Sequence, residues 1–227
     1  MGELALAAFV FVALHFVPAL PAREWLIRRI GDPAYMGLFS LASVLGLAWM
    51  IAAYKNAPAS EPLWTGGPAL RWFTAIAMLL PFILTVTGTT TRNPTSVLGK
   101  SAFKTPHQWT DIFAVTRHPV MWAIVIWAVL HLLNRPDATS ALLFGPMALL
   151  ALGGSLRQEV RKRKEFGEAW DNFVAQTSYV PFAALLSGKA KLRLADLGMW
   201  QLASAVLLWL AALYFHGPIL GVPPLPL

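Results

Sequence analysis

Six apolar segments, each close to the length that crosses a lipid bilayer, constrain this 227-residue chain more than any other feature. An α-helix needs about 20 apolar residues to span a hydrocarbon core about 30 Å thick. Only 13% of the residues are charged, against roughly 25% in a soluble protein. The sequence therefore predicts an all-α, polytopic membrane helix bundle with about six transmembrane helices in one domain over residues 1–227. The segments lie at about residues 4–20, 36–54, 70–87, 118–133, 139–154 and 198–216.

The lysines and arginines are divided unevenly between the loops that join these segments. Fifteen of the eighteen lie in the first, third and fifth loops, and Lys55, Arg71 and Arg135 are the remainder. Positive residues are concentrated on the cytoplasmic side of membrane proteins. These three loops are therefore predicted to be cytoplasmic, and both termini periplasmic.

The fifth loop, at about residues 155–197, is the longest polar stretch of the chain. Val160, Phe166, Trp170 and Phe173 are spaced so that they could share one helical face, with the neighbouring basic residues against anionic lipid headgroups. The alternative is a solvated helix that continues the fifth span. The sequence thus predicts a cytoplasmic amphipathic loop with membrane lipids as its partners. Because the chain as a whole is so apolar, no nucleic acid is predicted as a partner.

The first segment has one feature of a cleavable signal peptide, because the residues from Ala19 to Ala22 could form a small-residue cleavage site. However, Glu3 precedes the apolar core where an export signal carries positive charge. We expect a retained helix with its N-terminus outside.

Histidines inside apolar segments are the candidate functional residues, since an ionisable side chain is costly in a bilayer. His15 lies in the first segment and His131 near the end of the fourth, and the chain has no cysteine. Without thiolates, and with no carboxylate inside the segments, two imidazoles fit a haem iron better than zinc or calcium. The alternative is that each imidazole only bonds to a neighbouring helix.

The depths of the two histidines leave their pairing open. At 1.5 Å per residue, His15 lies about 7 Å from the cytoplasmic end of its span, and His131 about 18 Å from the cytoplasmic start of the fourth. Two ligands of one iron need similar depths, so helix tilt or a kink at Pro18 must absorb the difference. Otherwise His118 or His107 is the predicted partner of His15.

The stretch Thr116-Arg117-His118-Pro119 is a second candidate site. Proline suits the first turn of a helix, which places Arg117 and His118 at the cytoplasmic mouth of the fourth span. A cation and an imidazole there could hold a carboxylate or a phosphate, and Arg117, His118 and His107 are the predicted cofactor-binding residues. The alternative is a basic membrane anchor with a capping histidine.

These motifs resemble those of the NnrU family of bacterial membrane proteins, which is related to the zeta-carotene isomerases. The resemblance covers nearly the whole chain. It rests on His15 with Pro18-Ala19 and Arg23, the run from Ile30 to Tyr35, Asn93-Pro94, His107, Thr116 to Pro119, Met121-Trp122, Trp127 and His131.

The resemblance implies a haem b bound by His15 and His131 in a bacterial inner (plasma) membrane. It further implies a role in nitrogen-oxide metabolism (denitrification), or the haem-dependent isomerisation of an apolar small-molecule substrate, with catalytic residues unknown. The isomerases have a cysteine three residues before the second histidine, where this chain has Ala128. Thiol-dependent ligand switching is therefore not implied here.

The chain also has a weaker resemblance to isoprenylcysteine and phospholipid methyltransferases, which bind S-adenosylmethionine. The corresponding residues are Arg117-His118-Pro119, Glu159 and the segment from Phe166 to Pro181. This resemblance implies, as an alternative, a methyltransferase acting on a lipid-soluble substrate. A further alternative is a non-catalytic accessory subunit with a respiratory oxidoreductase complex as its partner.

Overall fold

A computed structural model describes residues 1–19, 21–96, 102–104 and 108–226 of the protein, and within these ranges it contains helices and no β-strand. The helices are α1 Gly2–Phe16, α2 Pro21–Ile30, α3 Asp32–Asn56, α4 Pro68–Ala77, α5 Leu79–Thr90, α6 Ile112–Val115, α7 Pro119–Asn134, α8 Ala138–Phe166, α9 Glu168–Gln176, α10 Ala183–Leu186 and α11 Met199–Leu220. Short 3-10 turns lie at Val17–Ala19 and Leu194–Asp196.

Among these residues, four helical stretches are long and apolar enough to cross a membrane. They are Asp32–Asn56, Pro68–Thr90, Ala138–Phe166 and Met199–Leu220, while α1 and α7 are apolar but shorter. Each predicted segment therefore has a helix in the structure, which confirms the all-α membrane class. The largest difference is in α8, which continues to Phe166, well beyond the predicted end at residue 154.

The chain divides into two compact units. Unit 1 contains Met1–Thr65 and His131–Leu150, and unit 2 contains Gly66–Leu130 and Ala151–Leu227. The organisation as one domain stays a prediction.

In unit 1, α1 packs antiparallel against α3. Trp49 donates its indole N–H to the Glu3 carboxylate across 3.2 Å, and the His15 ring lies 5.6 Å from the Phe39 ring. The start of α1 is therefore beside the C-terminal part of α3, and the His15 end of α1 is beside the N-terminal part of α3.

The turn before α8, also in unit 1, is fixed by Asp137. Its carboxylate accepts hydrogen bonds from the Ser140 backbone N–H at 2.6 Å and from Arg135 Nε at 2.8 Å. The first bond satisfies an N–H group at the start of α8, as an N-cap does. Burial works to raise the pKa of Asp137, but the hydrogen bonds from Ser140 and Arg135 outweigh it and lower that pKa below its usual value.

Unit 2 has a core of interlocked aromatic side chains. Trp170 and Phe173 of α9 are fully buried. Trp109, which precedes α6, and Phe113 of α6 meet Phe173 edge to face, with ring centres 4.6 and 5.7 Å away. Such aromatic pairs stabilise a fold beyond the area they bury. The cluster thus holds α6 against α9, and the segments that follow these two helices form the candidate site.

The helical face predicted for the fifth loop is only partly correct. Phe166 packs against the buried cluster with Trp170 and Phe173, but Val160 is 60% exposed. The reason is Gly167, whose φ of 53° interrupts the helix between α8 and α9. The four side chains therefore do not lie on one continuous helix.

Candidate functional site

The segment between α6 and α7 is held against the chain that follows α9. Arg117 donates its backbone N–H to Ser178 O across 2.9 Å, and Thr116 Oγ1 donates to Tyr179 O across 2.8 Å. Pro119 then begins α7, where its missing N–H leaves no intrahelical bond unmade. These backbone contacts fix the direction in which the Arg117 and His118 side chains leave the chain.

Both of these side chains meet one carboxylate oxygen of α8. Glu159 Oε1 lies 2.6 Å from Arg117 Nε and 2.6 Å from His118 Nε2. Arg117 Nη1 also donates to the backbone oxygen and the hydroxyl of Thr177, at 3.2 and 3.3 Å. The side chains of Arg117, His118 and Glu159 are 11%, 0% and 21% exposed. We call this group the Arg117–His118–Glu159 cluster.

Tyr179 closes the cluster on another side. Its ring meets the rings of His118 and Trp122 edge to face, with centres 5.5 and 5.9 Å away. Its hydroxyl lies 2.8 Å from Ser155 Oγ on α8. The tyrosine therefore links the start of α7 to α8 through its ring and its hydroxyl.

Gly88 allows α5 to approach the start of α7 closely. A Cβ atom at this position would lie 2.7 Å from Pro119 Cγ and 3.1 Å from Val120 Cγ2. These distances are shorter than carbon atoms tolerate without movement of the neighbour. The absence of a side chain at Gly88 thus helps to position the residues around His118.

The cluster has consequences for the anion-binding role predicted for Arg117 and His118. Arg117 Nε and Nη1 already bond to Glu159 and Thr177, so an incoming carboxylate would reach Arg117 through Nη2 or replace Glu159. The pairing of a guanidinium with a carboxylate also offsets the charge of both groups in a buried place. Binding of a cofactor anion here stays a prediction, and His107 lies outside the described residues.

His15, in unit 1, has an arrangement suited to a single metal ligand. Its Nδ1 lies 2.8 Å from the Phe11 backbone oxygen. Its ring is 4.5 Å from the Phe11 ring and 5.6 Å from the Phe39 ring. A ligand histidine commonly donates one ring N–H to a carbonyl and binds the metal through the other nitrogen. Nε2 of His15 is the nitrogen left for that purpose.

His131 lies in a different part of unit 1. Its ring stacks on Phe144 with centres 4.8 Å apart and an interplanar angle of 25°, and Phe144 is 6.2 Å from Tyr54. His15, by contrast, is beside Phe39. Tyr54 and Phe39 are about 22 Å apart along α3 at 1.5 Å per residue. His15 therefore contacts the N-terminal part of α3, whereas His131 stacks on Phe144, which contacts the C-terminal part of α3.

These positions allow a test of fit for the predicted haem. His15 fits one axial position, since it has an oriented ring, an apolar surround and an available nitrogen. His15 and His131 lie near different stretches of α3, beside Phe39 and beside the Phe144–Tyr54 pair, and their pairing on one iron stays a prediction. The described residues also contain no group of three or more histidine and carboxylate side chains that could hold a metal ion. The ligand role of each histidine stays a prediction.

The sequence indicates some residues of the cluster and its surroundings but not all of them. Arg117 and His118 were found as a motif, whereas Glu159 was noticed only through the weaker resemblance. Ser155 and Thr177 were missed, because no local pattern marks a serine in a helix or a threonine after one as the partner of a distant side chain.

The fold and this cluster define a helical membrane protein with a buried arginine–histidine–glutamate site. The chain belongs to the NnrU family: the family model described as NnrU protein matches residues 3–224. Among curated proteins, it is similar to the chloroplastic 15-cis-zeta-carotene isomerase of Zea mays, with 26% identity over 194 residues. The corresponding protein of Arabidopsis thaliana is 26% identical over 168 residues.

The matched regions cover 82% and 71% of this chain, but only 51% and 44% of the two relatives. The chain thus spans about half the length of the curated relatives it matches. No solved structure matches it significantly.

Proposed function

We propose that the protein is a membrane isomerase that changes the configuration of a double bond in an apolar polyene, with haem b as its cofactor. Membership of the NnrU family and similarity to two 15-cis-zeta-carotene isomerases over most of this chain support the reaction class. The observation that supports haem as the cofactor is the arrangement of His15. This intramembrane imidazole is held by a backbone carbonyl through Nδ1, and its Nε2 remains for a metal.

His15 would hold the iron through Nε2. The hydrogen bond from Nδ1 to the Phe11 oxygen would fix the ring and make Nε2 a stronger ligand. Phe11 and Phe39 would supply an apolar surface that excludes water from the ligand. The haem would supply a metal centre able to withdraw electron density from a conjugated double bond and so ease rotation about it.

An absorption spectrum of the purified protein tests the cofactor. We expect a Soret band that shifts on reduction with dithionite, and loss or change of that band in His15→Ala. His216→Ala is the matched control, because His216 lies near the end of α11 with its Nδ1 2.6 Å from the Val222 oxygen. A wild-type spectrum in His15→Ala would reject His15 as a ligand.

The second ligand is tested in the same way. A changed spectrum in His131→Ala would support His131 as the second ligand. A changed spectrum in His118→Ala instead would support the alternative pairing with His15. Change in His15→Ala alone would indicate an iron with one protein ligand.

The reaction is tested with 15-cis-zeta-carotene and the protein in lipid nanodiscs. We expect the ratio of carotene isomers, separated by chromatography, to change in the dark with wild-type protein. His15→Ala should abolish the change. Equal isomer ratios with wild-type protein and empty nanodiscs, at full haem occupancy, would contradict the proposal.

A methyltransferase is the second candidate, because the structure brings its three corresponding regions to one place. Arg117, His118, Glu159 and Tyr179 come from separate parts of the chain and meet within the cluster. Titration calorimetry of haem-free protein with S-adenosylmethionine separates the candidates. We expect no heat of binding, whereas micromolar affinity would favour the methyltransferase.

The proposed membrane is a bacterial inner membrane, with both termini in the periplasm. The uneven distribution of lysine and arginine between loops supports this orientation. Periplasmic reporter fusions after Asn56 and Asp137 should be active, and fusions after Lys189 should be inactive. The reverse pattern would overturn the orientation. The link to nitrogen-oxide metabolism and an accessory role in a respiratory complex stay predictions.

A further inference from the structure

Four buried side-chain polar atoms in unit 2 have no hydrogen-bond partner among the described residues, and two of them, His118 Nδ1 and Trp122 Nε1, belong to side chains that contact the same tyrosine ring. His118 is fully buried. Buried polar groups are nearly always paired, because a group that loses water without gaining a partner destabilises the fold. Two such atoms near each other indicate a ligand.

The Arg117–His118–Glu159 cluster determines whether His118 Nδ1 donates or accepts a hydrogen bond. Arg117 is a permanent cation and donor, so it already balances the charge of Glu159. A neutral His118 then places its proton on Nε2, which lies 2.6 Å from the Glu159 oxygen. We assign this tautomer from the bonding pattern. Nδ1 is therefore a hydrogen-bond acceptor with a fixed direction.

Trp122 supplies the complementary atom. An indole nitrogen can only donate a hydrogen bond. Trp122 donates its backbone N–H to His118 O across 3.0 Å, so the two side chains lie about one helical turn apart. Both rings contact the same Tyr179 ring. An unsatisfied acceptor and an unsatisfied donor thus lie around one tyrosine.

Tyr179 does not itself satisfy either atom. Its hydroxyl is 2.8 Å from Ser155 Oγ and 3.4 Å from the Leu152 oxygen. The tyrosine ring instead offers an apolar surface against both the His118 and the Trp122 rings. The pair is therefore left for a group that does not belong to the described residues.

We propose that His118 and Trp122 bind one hydroxyl group, which donates to His118 Nδ1 and accepts from the Trp122 indole N–H. A hydroxyl suits this place because it both donates and accepts. A carboxylate could not donate to Nδ1, an ammonium could not accept from the indole, and either would add charge to a site whose charges are already balanced. The hydroxyl comes from a lipid-soluble alcohol or from a bound water molecule.

The site is independent of the proposed isomerase activity, and magnetic resonance tests it directly. Full-length protein in nanodiscs is labelled on the side-chain nitrogens of histidine and tryptophan. Farnesol is the alcohol probe, and farnesene is the matched hydrocarbon without a hydroxyl. We expect farnesol to shift the His118 Nδ1 and Trp122 Nε1 resonances together and to saturation, while farnesene shifts neither.

Two variants sharpen the result. Trp122→Phe should weaken the farnesol response of His118 about fivefold, the effect of losing one hydrogen bond. Trp200→Phe removes an indole that is 60% exposed and should leave the response unchanged. If Trp122→Phe does not fold, the wild-type titration decides alone. An unchanged response in a folded Trp122→Phe protein would overturn the proposal.

The two sources of the hydroxyl are distinguished in the same samples. The His118 Nδ1 and Trp122 Nε1 resonances could be typical of hydrogen-bonded nitrogens, show no shift with farnesol and exchange magnetisation with water. This result would assign the site to a water molecule. Equal responses to farnesol and farnesene would show apolar binding and would overturn the hydroxyl site. Resonances typical of unbonded nitrogens in every sample would overturn it as well.

Discussion

Each unit of the protein contains a candidate imidazole and an arginine–carboxylate pair, but the two units use them differently. In unit 1, His15 is held by a backbone oxygen of its own helix, while Asp137 and Arg135 fix the turn before α8. In unit 2, the carboxylate of the ion pair is also the partner of the imidazole. The comparison teaches that the His15 ring is oriented within its own helix, whereas the orientation of His118 depends on a carboxylate from a distant part of the chain.

The largest effect is expected from a substitution that breaks the ion pair of unit 2. Glu159→Ala leaves Arg117 buried without its counter-ion, which we expect to lower the free energy of unfolding by about 3 kcal/mol, the lower part of the range for such losses because Glu159 is partly exposed. Denaturant unfolding in detergent measures the change.

Asp171→Ala is the matched control for this variant. It removes the partner of Arg163 in a pair whose side chains are 60% and 56% exposed. An exposed pair contributes at most about 1 kcal/mol. Equal losses in the two variants would mean that the cluster does not stabilise unit 2.

A smaller effect is expected where α5 approaches the cluster. Gly88→Ala places a methyl group against Pro119, and overpacking of this kind costs about 1–3 kcal/mol. Gly153→Ala is the control, because a Cβ atom at that position has no neighbour within 4 Å, and alanine is the better helix former. The prediction fails if both variants are as stable as the wild type.

The smallest effect concerns the ion pair of unit 1 and depends on pH. Asp137→Asn should destabilise the protein by at most about 1 kcal/mol near neutral pH, since it removes the charge that pairs with the half-exposed Arg135. The folded pKa of Asp137 is below its unfolded value of about 4, so its stabilisation is full above about pH 5 and declines as the pH falls through the folded pKa. The two unfolding curves should therefore converge in acid.

Unfolding of wild type and Asp137→Asn between neutral and acidic pH measures this convergence. A difference that stays constant down to the lowest pH would show that the charge of Asp137 does not contribute.

Much of the fold could be predicted from the sequence, because the length and apolarity of a helix in lipid are local properties. The end of α8 could not, since the basic residues after position 154 are compatible with either a loop or a continued helix. Arg117 and His118 were predicted as a site because they are adjacent to Pro119. Their contact with Glu159 depends on how α7 and α8 pack, which no local pattern specifies.

The two intramembrane histidines are another example in which the sequence predicts a position but not the contacts made there. Counting residues from the span ends already gave His15 and His131 different depths. The structure adds that His15 contacts Phe39 of α3, whereas His131 stacks on Phe144, which contacts Tyr54 of α3. Helix geometry therefore predicts the difference in depth between His15 and His131, but it does not predict which side chains surround each ring.

The single oxygen of Glu159 that contacts both Arg117 and His118 has an evolutionary consequence. Loss of Glu159 would remove a partner from both Arg117 and His118, whereas loss of either of those residues would leave Glu159 with the other. A change at position 159 should therefore be tolerated only together with changes at positions 117 and 118, so substitutions at the three positions are expected to be coupled.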